Sequence, residues 1–188
     1  MRQFVSRAGE KLDHALNLFE LNVTGWICAD FGCNTGGFTD CLLKRDAAKV
    51  YAIDTGYGAL DWSLRKDPRV VVMERTNAMH VTLPERVDLV TIDVAWTKQK
   101  NILPAAKRVL KPTGIVVSLI KPHYESDAKL LVKGILPGDD VGPVVESVKQ
   151  AIRSLGYEVI QTVPSPILGA GGNAEVVSLL RIAQMRNA

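Results

Sequence analysis

Three aspartates close three short β-rich runs: Asp30 ends 26–30, Asp54 ends 49–54 and Asp93 ends 87–93. A further run, 115–120, delivers Lys121 in the same manner. Carboxylates and an amine brought to one end of a sheet can bind a hydroxylated ligand and move a proton. After Asp30 comes a loop of small residues, Asp30-Phe-Gly32-Cys33-Asn34-Thr-Gly36-Gly37-Phe38. Such a loop turns tightly and lets backbone amides at the next helix start face a ligand. Its Gly-x-x-x-Gly spacing departs from the G-x-G-x-x-G dinucleotide fingerprint and lacks the Lys-Ser/Thr of a P-loop. A nicotinamide or nucleoside-triphosphate site is therefore disfavoured. Asp54 lies 24 residues beyond Asp30, where an acidic side chain can accept hydrogen bonds from both ribose hydroxyls of a nucleoside. Capping the turn Thr55-Gly56-Tyr57-Gly58 is the structural alternative.

The elements that must position these groups follow from periodicity. Leu12, Ala15, Leu16 and Phe19 fall on one face of a helix over 8–19. Further helices are expected at 37–44, 99–110 and 142–155, and strands at 26–30, 49–54, 70–73, 87–93, 115–120, 157–163 and 175–182. The polar stretch 122–140 reads as a mobile loop. Strands alternating with helices argue for an α/β fold, a seven-stranded mainly parallel sheet covered by helices on both faces. The ten residues 164–173 are too short for a parallel crossover, so the last strand is expected to run antiparallel. The chain reads as one domain over 1–188, with an N-terminal helix in 1–20 and the sheet core in 24–188. Ligands of such sheets bind at the carboxyl ends of the strands, where the three aspartates and Lys121 cluster.

Composition narrows the class. Of 188 residues, 47% are apolar and 23% charged, which excludes disorder, a collagen-like fibre and a disulfide scaffold. No apolar stretch approaches the ~20 residues of a membrane span, and the polar N-terminus is unlike a secretory signal; the cytoplasm is the expected location. A net charge of +3 permits a nucleic-acid partner without establishing one. Cys28, Cys33 and Cys41 form no C-x-x-C pair and read as reduced, partly buried thiols. His14, His80 and His123 are far apart, so no metal is expected.

Asp-x-Gly-x-x-x-Gly followed by Asp54 resembles the S-adenosylmethionine site of Rossmann-like class I methyltransferases. That likeness implies S-adenosylmethionine as cofactor and S-adenosylhomocysteine as product. Asp30, Gly32, Asn34, Gly36, Gly37 and Phe38 would hold the methionine end, with Asp93 near the methyl. Asp54 would hold the ribose and Asn77 would meet the adenine, unless Asn77 is simply a surface turn residue. Four segments resemble the FtsJ-like ribose 2′-O-methyltransferases, and among them the TlyA-type proteins: Val5-Ser-Arg-Ala-Gly-Glu-Lys11-Leu12, Ile92-Asp93-Val-Ala-Trp96, Lys121-Pro-His-Tyr-Glu125 and Gly172-Asn173-Ala-Glu175. Each matches a segment supplying one member of the family's Lys-Asp-Lys-Glu tetrad, in the same order. The resemblance extends from Val5 to Arg181.

The chemistry suits those residue types. A ribose hydroxyl is a poor nucleophile until its proton is withdrawn. An amine, with an ordinary pKa of ~10.4, does this at neutral pH only where burial or a neighbouring positive charge favours its neutral form. The resemblance makes Lys121 the general base, Asp93 its partner, and Lys11 and Glu175 positioning groups. Ser6 and Arg7 would contact an RNA phosphate, and His123 and Tyr124 would stack on a nucleobase; an N-cap, a surface charge and core packing are the structural readings of the same residues.

The match departs from the family in places. Its Ser-Arg-Gly-Gly is Ser6-Arg7-Ala8-Gly9, its Asp-Val-Ser-Phe is Asp93-Val-Ala-Trp96, and its Lys-Pro-Gln-Phe-Glu is Lys121-Pro-His-Tyr-Glu125. Met1 stands four residues before Val5, so the small RNA-binding domain usual before this point is expected to be missing. The expected partner is RNA, ribosomal by resemblance, bound through the catalytic face or with a protein partner that supplies targeting. No membrane partner is expected. The alternatives are a cofactor-binding RNA-associated protein without activity of its own, and a membrane-active haemolysin, a label that TlyA-like proteins often carry.

Overall fold

Alternation along the strands divides the core into two layers. In Ile27–Phe31 (β1), Cys28 turns toward one face while Ala29 and Phe31 turn toward the other. Val50 and Ala52 in Lys49–Ile53 (β2) join Cys28, and Tyr51 and Ile53 join Ala29. This period of two is what a sheet buried on both faces requires. The computed structural model describes residues 3–184. Its remaining strands are Val70–Met73 (β3), Val87–Ile92 (β4), Leu110–Ile120 (β5), Tyr157–Pro164 (β6) and Val176–Ile182 (β7). They form one sheet in the order β3-β2-β1-β4-β5-β7-β6, parallel from β3 to β5, with β7 antiparallel to both neighbours.

On one face lie Ala8–Leu18 (α1), whose Leu12, Ala15 and Leu16 are fully buried, and Gly37–Lys44 (α2). Trp62–Lys66 (α3) adds Leu64 to the same layer. Gln99–Val109 (α4) and Gly138–Ser154 (α6) cover the other face. The mainly parallel sheet, the antiparallel last strand and helices on both faces are as expected. Cys28, Cys33 and Cys41 are free thiols and all three are buried. No helix among the described residues is long and apolar enough to cross a membrane.

Three local readings need correction. Strand β5 starts at Leu110 rather than 115, because Lys111-Pro112-Thr113-Gly114 forms an irregularity where the β4 register jumps from Val87↔Leu110 to Leu89↔Ile115. Proline cannot donate to a ladder, and a bulge is where a strand accepts it. The stretch 122–140 is built rather than featureless: it holds the short helix Pro122–Glu125 (α5), a 3-10 turn at Ala128–Leu130 and a Val132↔Ile135 bridge. Helix α6 begins at Gly138, with Asp139 and Asp140 in its first turn, where carboxylates favour the helix dipole.

Candidate active site

The carboxyl ends of β1, β2 and β4 are stitched together by backbone. Gly32 N–H and Cys33 N–H donate to the Ile53 carbonyl at 2.9 and 3.1 Å, and Asp93 N–H donates to the Phe31 carbonyl at 3.0 Å. Gly32 has φ of 84°, and a Cβ there would stand 2.7 Å from the Asp93 carbonyl oxygen. Only glycine lets the loop lie against β4 in this way. Above this junction is a cavity of about 800 Å³, within the ~300–1,000 Å³ typical of small-molecule sites.

Four separated segments meet around it. Lys11, buried on α1, is ion-paired with Glu175 just before β7. Lys121, at the end of β5, forms an ion pair with Asp93 Oδ1 at 2.6 Å and donates a hydrogen bond to the Val94 carbonyl at 2.9 Å. All four side chains belong to residues that line the cavity. Gly169 lets Glu175 turn toward Lys11, since a Cβ there would stand 2.6 Å from the Glu175 carboxyl carbon.

Gly32, Asn34, Phe38, Asp54 and Asn77 also line the cavity. Asp54 accepts from Asn34 N–H at 2.8 Å through Oδ2 and from Gly56 N–H at 2.7 Å through Oδ1. It therefore braces both loops, and each oxygen keeps a free lone pair. Asn77 caps a 3-10 turn by accepting from Met79 N–H at 2.9 Å, which leaves its amide group open. Ser6, Arg7, His123 and Tyr124 are on the wall as well. Ser6 is not the helix cap; Arg7 occupies that position without a side-chain hydrogen bond. The His123 and Tyr124 rings lie against each other, centroids 4.1 Å apart and tilted by 43°.

Asp30, Gly36 and Gly37, expected in the contact set, are buried and are not among the residues that line the cavity. Strand alternation turns Asp30 toward α2. Its carboxyl there accepts from Thr39 N–H at 3.0 Å, Thr39 Oγ1 at 2.7 Å and Thr91 Oγ1 at 3.0 Å. Complete burial pushes its pKa up to about 7, against the three donors, which favour the charged form. Gly36, at φ 101°, backs onto Leu60 and Leu64, and a Cβ on Gly37 would stand 2.8 Å from Gly9 N. These residues shape the loop and seat α1 on α2.

Three contributors escaped the sequence reading. Glu125 accepts from Gln99 N–H at 2.7 Å and so caps α4, 26 residues distant, a contact with no local signature. Asn173 accepts from Leu136 N–H at 2.9 Å and donates to the Gly134 carbonyl at 3.0 Å, clamping the 132–135 turn beside Glu175. Its place two residues before Glu175 was the available signal. Trp96 lines the cavity while remaining 78% exposed.

The family model described as FtsJ-like methyltransferase matches residues 4–181. The chain belongs to the FtsJ-like methyltransferase family. The methyltransferase is 41% identical over 186 residues to the 16S/23S rRNA (cytidine-2′-O)-methyltransferase TlyA of Mycobacterium tuberculosis, covering 96% of this chain and 69% of that protein. It is 37% identical over 182 residues to Hemolysin A of Brachyspira hyodysenteriae, covering 94% of this chain and 76% of that one. Among solved structures, a hemolysin candidate from Streptococcus thermophilus superposes with a TM-score of 0.94 at 35% identity, over 98% of this chain and 69% of the other. The sheet is a Rossmann-like methyltransferase sheet.

Proposed function

We propose that the methyltransferase transfers a methyl group from S-adenosylmethionine to a ribose 2′-hydroxyl of ribosomal RNA, leaving S-adenosylhomocysteine. One observation carries the reading: two lysine–carboxylate pairs, Lys11–Glu175 and Lys121–Asp93, line one cavity together with the Gly32 loop and Asp54. The name of the M. tuberculosis relative, an rRNA (cytidine-2′-O)-methyltransferase, supports the acceptor.

The residues present fit the cofactor. The Gly32–Asn34 backbone lines the cavity without a Cβ at position 32, Asp54 has lone pairs for two hydroxyls, and the Asn77 amide is free to meet a base. When bound, S-adenosylmethionine supplies a methyl activated for in-line displacement and a positive charge that favours neutral amines nearby. Lys121 Nζ is ion-paired with Asp93 and donates one hydrogen bond, to the Val94 carbonyl. An ammonium has three donor directions, so at least one remains for the acceptor, and the neutral amine can turn its lone pair to the 2′-hydroxyl. Lys121 then takes the hydroxyl proton while Asp93 holds the amine in place. Lys11 and Glu175 offset each other's charge and orient the ribose. General-base help of this kind is worth ~10²–10⁴-fold, with alignment providing much of the remainder.

Transfer of tritiated methyl to ribosomal RNA, followed by mass spectrometry of the ribose, tests the reading. Methyl on a base with unmodified ribose overturns the acceptor. Cofactor affinity without turnover favours a binding protein, and dye release from liposomes favours a membrane-active one.

A further inference from the structure

The segment leaving β4, residues 93–98, and the segment leaving β5, residues 121–125, are joined at both of their ends. At the cavity end the join is the Lys121 side chain, ion-paired with Asp93 at 2.6 Å and hydrogen-bonded to the Val94 carbonyl at 2.9 Å. At the outer end it is Glu125. Its Oε1 accepts from Gln99 N–H at 2.7 Å, and its main-chain carbonyl accepts from Lys98 Nζ at 3.0 Å. Between the two ends, α5 is wound on Lys121 itself, whose carbonyl accepts from Tyr124 N–H at 2.9 Å and Glu125 N–H at 3.3 Å. The contacts close a ring that runs from Lys121 through α5 and Glu125 to the start of α4, then back along 98–93 to the amine. Gln99 fixes this ring to the sheet. Its buried amide accepts from Ser118 Oγ at 2.7 Å and donates to the Leu119 carbonyl at 3.2 Å, just before Lys121. A buried amide bonded through both its oxygen and its nitrogen favours one geometry over its neighbours.

We propose that Glu125 is a positioning residue for the general base: by holding the start of α4 against α5, it keeps Asp93 and the Val94 carbonyl at bonding distance from Lys121 Nζ. This rests on the reading of Lys121 as the base of a ribose 2′-O-methyltransferase. Glu125 is not among the residues that line the cavity, so it acts through Lys121 and not on the substrate. Without its carboxylate, the 93–98 segment keeps its hold on the amine but loses the tie that sets the spacing at the other end. A shift of about 1 Å between base and hydroxyl is enough to cost ~10²-fold in rate. Burial raises the Glu125 carboxyl above its ordinary pKa range, against Gln99 N–H, Lys98 and Lys100, which favour the anion. Charge is a cost at this place. The ring calls for an acceptor oxygen of the right reach.

Two experiments decide it. The first is steady-state methyl transfer to ribosomal RNA, with the binding sites of each variant counted by calorimetric titration with S-adenosylhomocysteine. Glu125→Ala should lower kcat per binding site by ~10–10²-fold, with KM for S-adenosylmethionine and for RNA within a few-fold of the wild type. Glu125→Asp, shorter by one methylene, keeps the charge but not the reach, and should be slowed in the same direction. Glu125→Gln keeps the reach and an acceptor oxygen, and should restore kcat. Unchanged kcat in Glu125→Ala overturns the proposal, as does recovery in Glu125→Asp but not in Glu125→Gln. A loss that appears only as fewer binding sites marks a structural role and overturns it too.

The second experiment needs no turnover. Trace acetylation with acetic anhydride, read by mass spectrometry, reports how readily each lysine amine is reached. Lys11, held by Glu175, serves as the internal reference. In Glu125→Ala, Lys121 should be labelled several-fold faster relative to Lys11 than in the wild type, and in Glu125→Gln at the wild-type ratio. An unchanged ratio in Glu125→Ala overturns the proposal. If the wild type modifies no ribose at all, the parent reading falls, and the labelling ratio still decides whether Glu125 holds Lys121 in place.

Discussion

Lys11 and Glu175 stand 164 residues apart in the chain and form one ion pair, with both side chains nearly sealed from solvent. A pair this deep holds together only as a pair. Removing one partner leaves a buried charge uncompensated, which costs ~3–5 kcal/mol, whereas replacing both with apolar groups is often close to neutral. Urea unfolding should therefore show Glu175→Leu and Lys11→Met each strongly destabilised and the double variant recovering most of the loss. Methyl transfer should remain abolished in all three. A single variant as stable as the wild type would show that the pair is more hydrated than its burial implies.

Lys121→Arg separates charge from basicity. Arginine keeps the positive charge and can still reach Asp93, but it stays protonated throughout the working range. Turnover should fall by ~10²–10⁴-fold, while calorimetry should find cofactor affinity within a few-fold of the wild type. Equal losses in affinity and turnover would make Lys121 a binding group instead of the base.

Much of this site was legible because its chemistry sits at strand ends. A run such as 115–120 announces its strand, the strand's end fixes where Lys121 emerges, and the sheet order then brings it beside Asp93. Asp30 shows where that logic stops. A strand-terminal carboxylate looks the same in sequence whether it faces the cavity or the helix layer, and one residue of register decides between them. Here Asp30 shares a face with Cys28 and meets Thr39 and Thr91. The clamp by Asn173 was invisible for a different reason: its partners are backbone groups of a turn 37 and 39 residues earlier, which leave no trace in side-chain identity.

Asp30 gives stability a pH dependence of defined sign. Its carboxyl titrates near 7 in the folded protein because burial disfavours the anion, against 3.8 for an ordinary aspartate. Between those values the unfolded chain has released a proton that the folded chain retains. Stability contributed by this group therefore falls as pH rises from about 4 to about 7 and is level beyond. Asp30→Asn keeps acceptor and donor atoms for Thr39 and Thr91 without the ionisation. The difference in unfolding free energy between variant and wild type should grow in the variant's favour across that window. A difference independent of pH would mean that Asp30 is ionised in the folded protein.

Asn173 links the turn 132–135 to the strand that carries Glu175. Its side chain satisfies Leu136 N–H and the Gly134 carbonyl, and Leu136 is buried beneath it. Asn173→Ala leaves both backbone groups without these partners, a cost of ~1–3 kcal/mol for each group that stays buried. The turn can relieve that cost only by opening to water. Lys133, at φ 51° beside Gly134, is already exposed, and such opening frees the backbone there for cleavage by trypsin. Limited proteolysis should cut after Lys133 at least several-fold faster in Asn173→Ala than in the wild type, with added S-adenosylhomocysteine leaving the difference in place. Cleavage at equal rates would show that the 3-10 turn at Ala128–Leu130 and the Val132↔Ile135 bridge hold the segment without the clamp.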